Sequence, residues 1–263
     1  MPIECPITFP RLNEAEMGKL DYAVMHHAFV AHKELGCLCD ESVYHTRFTQ
    51  LLNSAGFQAE RGVPVNLTFR NFFKPLYLDL VLNRSAVYEL KAVERLTEAH
   101  MNQLLNYLFL TNAARGKLIN FRPSSVESRF VNSLLTDRDR RDFRVIDDEW
   151  EGPNEFRDLI VNLVADWGTG LDQSHYTQAI VHCLGGEDSV IRQLPMQIGL
   201  LPLGNQRFHL ATNDAAFRIT TFQAELSRQH HHQLRKLLVP SPLACLYWVN
   251  IARHEVTLTT IFS

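Results

Sequence analysis

The chain has 263 residues, 46% hydrophobic and 21% charged, a balance that excludes a disordered polar chain and allows one large domain or two ordinary ones. Its longest apolar stretches, such as 104–110, fall far short of the roughly 18 residues needed to cross a bilayer, and the N-terminal residues lack the cationic and apolar run of a secretory signal, so no membrane segment and a cytoplasmic location are expected. A formal charge of -3 excludes a general basic coat for nucleic acid but not an enzyme that meets nucleic acid at one local site.

In chain order, Leu20, Val24, Ala28, Ala31 and Leu35 recur at helical spacing and predict a helix over about 15–35, with Gly36 as its stop. A second helix is predicted over 41–54. Strand-like runs follow at 62–69, 76–82 and 86–93, the last two joined by the short connection Asn83-Arg84-Ser85, which suggests a hairpin. Residues 97–111 read as a helix, and strands at 117–121 and about 126–131 end the unit.

Shifting the chain by 130 residues aligns 79–121 with 209–251 and brings ten identities into register, among them His100 with His230, Gln103 with Gln233, Leu104 with Leu234 and Asn120 with Asn250. With a slightly different offset, Gly36, Asp40, Ser42 and Tyr44 meet Gly168, Asp172, Ser174 and Tyr176. The chain reads as a tandem duplication of an α, α, three strands, α, two strands unit. The expected layout is a first domain over 1–136, a charged linker over 137–153 and a second domain over 154–263.

Five scattered cysteines suit reduced thiols better than a disulfide framework, and Cys37-Leu38-Cys39 is spaced too tightly for common zinc sites. The sharpest chemical cluster is Asp79 followed by Glu89-Leu90-Lys91. Alternation along a strand puts Glu89 and Lys91 on one face, and a hairpin partner can bring Asp79 beside them. Glu-x-Lys on a strand is commonly a solvent-facing ion pair. Here the apolar neighbours Leu76 to Leu82 and Val87 to Leu90 predict strands buried on both faces, and buried carboxylates need partners or a metal. Oxygen donors of this kind suit Mg²⁺, which keeps several waters and takes one or two carboxylates with a substrate phosphate.

The segments 36–44, 63–65, 78–80, 87–94 and 100–108, with Asn120-Phe121, resemble the small bacterial proteins named for a Gly-x-x-Glu-x-x-x-Tyr signature, within the PD-(D/E)XK nuclease superfamily. The resemblance covers about 18–133 and implies an α/β fold of two tandem restriction-endonuclease-like domains, each a mixed central sheet flanked by helices. It implies Asp79 and Glu89 as metal ligands, Glu41 as an additional acid from the helix, Lys91 as the catalytic lysine, and Gln103 and Tyr107 as supporting residues of the following helix. The cofactor would be Mg²⁺ or Mn²⁺ and the partner nucleic acid, with DNA favoured. The loop is Gly36-Cys37-Leu38 where the family usually has Gly-Pro-Gly.

In the second copy the same alignment replaces Glu41 by Gln173, Asp79 by His209, Glu89 by Ile219 and Lys91 by Thr221, which predicts a catalytically dead copy acting as a built-in pseudodimer partner or as a surface for substrate or another protein. His230-His231-His232 reads as a polar helix face rather than a metal site, since adjacent helical residues point apart. The opposing expectation, from a different class, is a non-catalytic scaffold built on a nuclease fold.

Overall fold

The structure is a computed structural model that describes residues 2–222 and 224–263. It divides into two compact units, one of residues 1–68 and 73–137, the other of 69–72 and 138–263. No helix among the described residues is long and apolar enough to cross a membrane.

The first unit runs β1 (Ile3–Glu4), α1 (Glu14–Leu35), α2 (Glu41–Ser54), β2 (Ala59–Phe69), β3 (Phe72–Leu82), β4 (Ala86–Lys91), α3 (Glu98–Thr111), β5 (Arg115–Asn120) and β6 (Glu127–Asn132), save that Phe69 and Phe72, at the β2–β3 turn, belong to the other unit. Its strands form one sheet in the order β1-β2-β3-β4-β5-β6, parallel between β4 and β5 and antiparallel between β3 and β4 and between β5 and β6. The start of α1 is fixed by a capping box: Asn13 Oδ1 accepts from the Glu16 amide at 3.0 Å, and Glu16 Oε2 accepts from the Asn13 amide at 2.8 Å. Gly36, at φ +70°, ends it in a conformation that a side chain would strain. The β3–β4 turn places Asn83 and Arg84 at φ near +50°, and Asn83 Oδ1 accepts from the Gln58 amide at 2.9 Å, which ties the turn to the start of β2. On one face of the sheet Val24, Ala28, Tyr44, Phe48, Leu80, Tyr88, Leu90 and Phe121 form a continuous core beneath α1 and α2. On the other, α3 approaches so closely that a Cβ at Gly116 would meet Leu104 and Leu108 at 3.1 Å.

A buried ion pair joins helix and sheet in this unit. Lys117 on β5 donates to Asp21 on α1, both side chains less than a tenth exposed. The Tyr88 hydroxyl reaches Asp21 at 3.5 Å, and the lysine nitrogen stands 4.3 Å from the centre of the Phe130 ring.

The second unit runs α4 (Asp137–Arg141), whose first residue belongs to the other unit, then β7 (Arg144–Glu149), α5 (Asn154–Trp167), α6 (Gln173–Cys183), α7 (Glu187–Val190), β8 (Ile191–Ile198), β9 (Leu201–Leu210), β10 (Ala215–Thr220), α8 (Ala224–Leu238), β11 (Cys245–Ile251) and β12 (Glu255–Phe262). Its sheet order is β7-β12-β11-β10-β9-β8, mixed again, with β10 and β11 parallel. The charged stretch 137–153, read from the sequence as a linker, carries α4 and β7. Arg140 is fully buried and donates from Nε to the Thr169 carbonyl and from Nη2 to the Trp167 carbonyl, both at 2.7 Å, at the end of α5 where helix carbonyls lack partners. Strand β7 pairs in parallel with β12, and Arg157 bonds Asp147 at 2.6 Å. Charge here serves contacts that a sequence pattern does not reveal.

The core strands and helices of the two units follow the same order, and two side-chain clamps recur. Tyr44 donates to the Gly36 carbonyl at 2.8 Å and accepts from the Cys39 amide at 3.2 Å; Tyr176 does the same with Gly168 at 2.5 Å and Leu171 at 3.3 Å. The Asn120 side chain bonds both the amide and the carbonyl of Val93, and Asn250 both those of Phe222.

These clamps correct the alignment of the hairpins. Lys91 pairs with Asn120 and Thr220 with Asn250, while Leu82 faces Ala86 and the Ala211 amide bonds the Ala215 carbonyl. The offset through the hairpin is therefore 129, not 130, and the counterparts of Asp79, Glu89 and Lys91 are Phe208, Arg218 and Thr220 rather than His209, Ile219 and Thr221. A one-residue slip moves every side chain to the opposite face of a sheet, so the distinction is chemical. Phe208 is buried, and Thr220 bonds Asn250 Oδ1 at 2.8 Å and the Trp248 indole at 2.9 Å.

Lys117→Met, which leaves the Asp21 carboxylate buried and unpaired, is expected to cost about 3–5 kcal/mol in urea unfolding. The double variant Asp21→Leu/Lys117→Met should recover part of that loss. A double variant less stable than Lys117→Met alone would contradict this account of the pair.

Candidate active site

The site is assembled on the first unit by three elements. One step beyond the paired Leu80 and Tyr88, the antiparallel register sets Asp79 on β3 across from Glu89 on β4, and Lys91 lies two residues further along the same face. Helix α2 begins at Glu41, and the next turn presents His45. Glu41 also ties the helix to the sheet, because its Oε2 accepts from the Ala92 amide at 3.2 Å just past the end of β4. Asp79 Oδ2 accepts from the Leu90 amide at 3.0 Å, which holds that carboxylate toward β4.

The charged groups then converge. Lys91 Nζ lies 2.6 Å from Glu89 Oε1 and 3.9 Å from Asp79 Oδ2. His45 Nε2 stands 3.8 Å from Asp79 Oδ2 and 3.9 Å from Glu41 Oε1. Glu89 is wholly buried, Asp79 partly, and Glu41 opens to solvent with 44% of its side chain exposed, so the cluster has a dry floor and one wet side. Two atoms on the dry side, Glu89 Oε2 and His45 Nε2, accept from no N–H or O–H donor among the described residues, and the Glu89 carboxyl meets only the like-charged Asp79 carboxyl besides Lys91. Such groups are rare in native interiors, where desolvation without a partner is costly.

The protonation states follow from this arrangement. Burial, with the Asp79 charge added, pushes the Glu89 carboxyl up to about 8, against the pull of Lys91. Burial works against the Lys91 ammonium, yet Glu89, Asp79 and Glu41 outweigh it and hold the lysine above its ordinary value. Burial lowers His45 despite its two carboxylate neighbours. Tyr107 on α3 is raised, first by burial and then by the charges of Glu89 and Asp79, while a bond from the Gln103 side chain pulls it down. Tyr107 thus senses the cluster from α3, and Gln103 acts on Tyr107.

Among the described residues, one group of three or more side chains is placed to hold a metal ion: Glu41, His45 and Asp79, with one donor atom of each within 4.8 Å of the others. Glu89 stands outside that group, with one oxygen engaged by Lys91. His45 is absent from the residues picked out by sequence pattern. The signal was the Glu41-x-x-x-His45 spacing, which stacks an acid and an imidazole one helical turn apart. In the second unit, His230 packs 4.8 Å from the Phe222 ring and 5.6 Å from Trp248, an aromatic setting.

The buried Glu89 carboxyl makes stability depend on pH. Its folded value of about 8 exceeds the unfolded value of roughly 4.3, so its contribution is fully present below the unfolded value and is lost as pH rises through about 8. In EDTA, wild-type urea stability should decline between about pH 5 and 8.5 more steeply than that of Glu89→Gln. Parallel profiles would show that the carboxyl titrates normally.

Residues 18–131, which run from within α1 into β6 and contain every side chain of this cluster, match the model of a known family, the PD-(D/E)XK nuclease superfamily. No curated protein and no solved structure matches the chain.

Proposed function

We propose that the first unit hydrolyses phosphodiester bonds of nucleic acid, DNA being the favoured substrate, with Mg²⁺ or Mn²⁺ as cofactor. The observation that carries this reading is the convergence of Asp79, Glu89, Glu41 and Lys91 on one half-dry face, with the buried Glu89 Oε2 left without a donor. That donor set fits a divalent cation, since a buried acceptor without a donor is what an ion would satisfy. A bound ion would supply Lewis-acid chemistry, lowering the pKa of a water and offsetting charge on the phosphodiester.

The chain's own residues do the rest. Asp79 and Glu41 would hold the ion through anionic oxygens, Glu89 would join them on losing its proton to the ion's field, and the backbone amides of Leu90 and Ala92 keep Asp79 and Glu41 aimed inward. Lys91, kept protonated by the carboxylates around it, sets a compact positive charge beside the position of the scissile phosphate. Tyr107 and Gln103, bonded to each other on α3 within the field of the cluster, would orient the substrate.

The second unit is read as a degenerate copy of the first, arisen by tandem duplication and serving as its internal pseudodimer partner. The shared element order and the recurring tyrosine and asparagine clamps support this. Phe208, Arg218 and Thr220, with Gln173 in the place of Glu41, supply none of the carboxylates such chemistry needs. The Gly-x-x-Glu-x-x-x-Tyr grouping and a cytoplasmic location complete the reading; free cysteines fit a reducing compartment.

Incubation with labelled single- and double-stranded DNA and RNA, in Mn²⁺, Mg²⁺ or EDTA, tests this directly. Cleavage should require the ion, and Lys91→Ala should slow it by at least about 100-fold. A folded wild-type protein that cleaves none of these substrates would favour the scaffold reading.

A further inference from the structure

The Glu41–His45–Asp79 group differs in kind from the carboxylate and lysine cluster beside it, because it adds a nitrogen donor. His45 is 7% exposed, its Nε2 has no hydrogen-bond partner among the described residues, and that atom faces two carboxylate oxygens at 3.8 and 3.9 Å. An imidazole nitrogen and two carboxylate oxygens that converge with no hydrogen bond between them form a donor set that one cation can bridge. The spacing is close to that of one. Donors about 2.1 Å from an octahedral ion lie about 3 Å apart when adjacent. The two measured separations, 3.8 and 3.9 Å, need close by only about 1 Å to reach it. Two of the three donors belong to one helix turn, and Asp79 is held by the Leu90 amide, so little rearrangement is needed to close the set.

We propose that His45 is a metal ligand, forming with Glu41 and Asp79 a mixed nitrogen and oxygen site that selects Mn²⁺ over Mg²⁺. Carboxylate and water oxygens suit either ion, but imidazole belongs with transition metals, and Mg²⁺ gives up its waters reluctantly for a nitrogen donor. The inference deepens the metal-dependent reading of this cleft by naming a ligand and a preference, and it holds whether or not the bound ion serves cleavage.

The test is direct binding to metal-free protein, followed by calorimetry and melting temperature with Mn²⁺ or Mg²⁺, and by pulsed EPR of the Mn²⁺-loaded state. The wild type should bind Mn²⁺ at least about tenfold more tightly than Mg²⁺, and its EPR should carry the nitrogen modulation of a coordinated imidazole. His45→Gln, which keeps bulk and offers an amide oxygen, should lose that modulation and bring the two affinities to within about threefold. Far-UV circular dichroism of His45→Gln and of a second variant, Glu41→Gln, guards against misfolding, and Glu41→Gln should weaken both ions while keeping the nitrogen signal on Mn²⁺. The proposal is overturned by equal wild-type affinities, by a ratio unchanged in folded His45→Gln, by a missing nitrogen signal, or by no binding of Mn²⁺. Mn²⁺ binding with the nitrogen signal but no cleavage would support this site and sink the hydrolase reading; metal-dependent cleavage without the signal would do the reverse.

Discussion

Everything chemical in the first unit depends on the register of one antiparallel strand pair. With Leu82 facing Ala86, the residues further along meet so that Asp79 stands across from Glu89, and Lys91 follows on the same face. Two carboxylates in a desolvated setting repel each other, and the arrangement persists because Lys91 lies between them at 2.6 and 3.9 Å and because the Leu90 amide engages Asp79. Shift either strand by one residue and the acids point into the apolar core beneath α1 and α2.

The second unit illustrates the same constraint from the opposite side. It shares the order of its five core strands and both clamps, yet its hairpin carries Phe208, Arg218 and Thr220 at the matching sheet positions. The clamps satisfy backbone groups at the turn between two helices and just past the end of a strand, where no ladder can reach them. That need belongs to the fold and is independent of any reaction. At the sheet position where the first unit has Lys91, the second has Thr220, whose hydroxyl bonds Asn250 and the Trp248 indole in a neutral buried network.

Much of the local structure was legible in sequence. The 3.6-residue spacing from Leu20 to Leu35, the stop at Gly36 and the apolar run around Glu89 placed elements close to α1 and β4. By contrast, β3 begins at Phe72, four residues before its expected start, because burial of one face or both writes a period into the chain only where the strand is buried. Strand ends were less legible: β2 begins at Ala59, three residues before the expected start, since the ladder and not side-chain character decides where pairing begins. The stretch 137–153 looked like a linker because charge dominates it, and its role became visible only with the carbonyls that Arg140 caps and the strand that β7 joins.

By itself the sequence determined which residue types were available and in what local pattern: acids and a lysine on alternating strand positions, a tyrosine and an asparagine repeated in two halves. Only the tertiary structure decided which of them meet. It aligned the hairpins at an offset of 129, against the identity count that favoured 130, because strand pairing and the Asn250 clamp constrain faces that identities ignore. It also turned His45, an ordinary helix residue in sequence, into a buried nitrogen facing Glu41 and Asp79, since a position across space between a helix and a strand leaves no period in the chain.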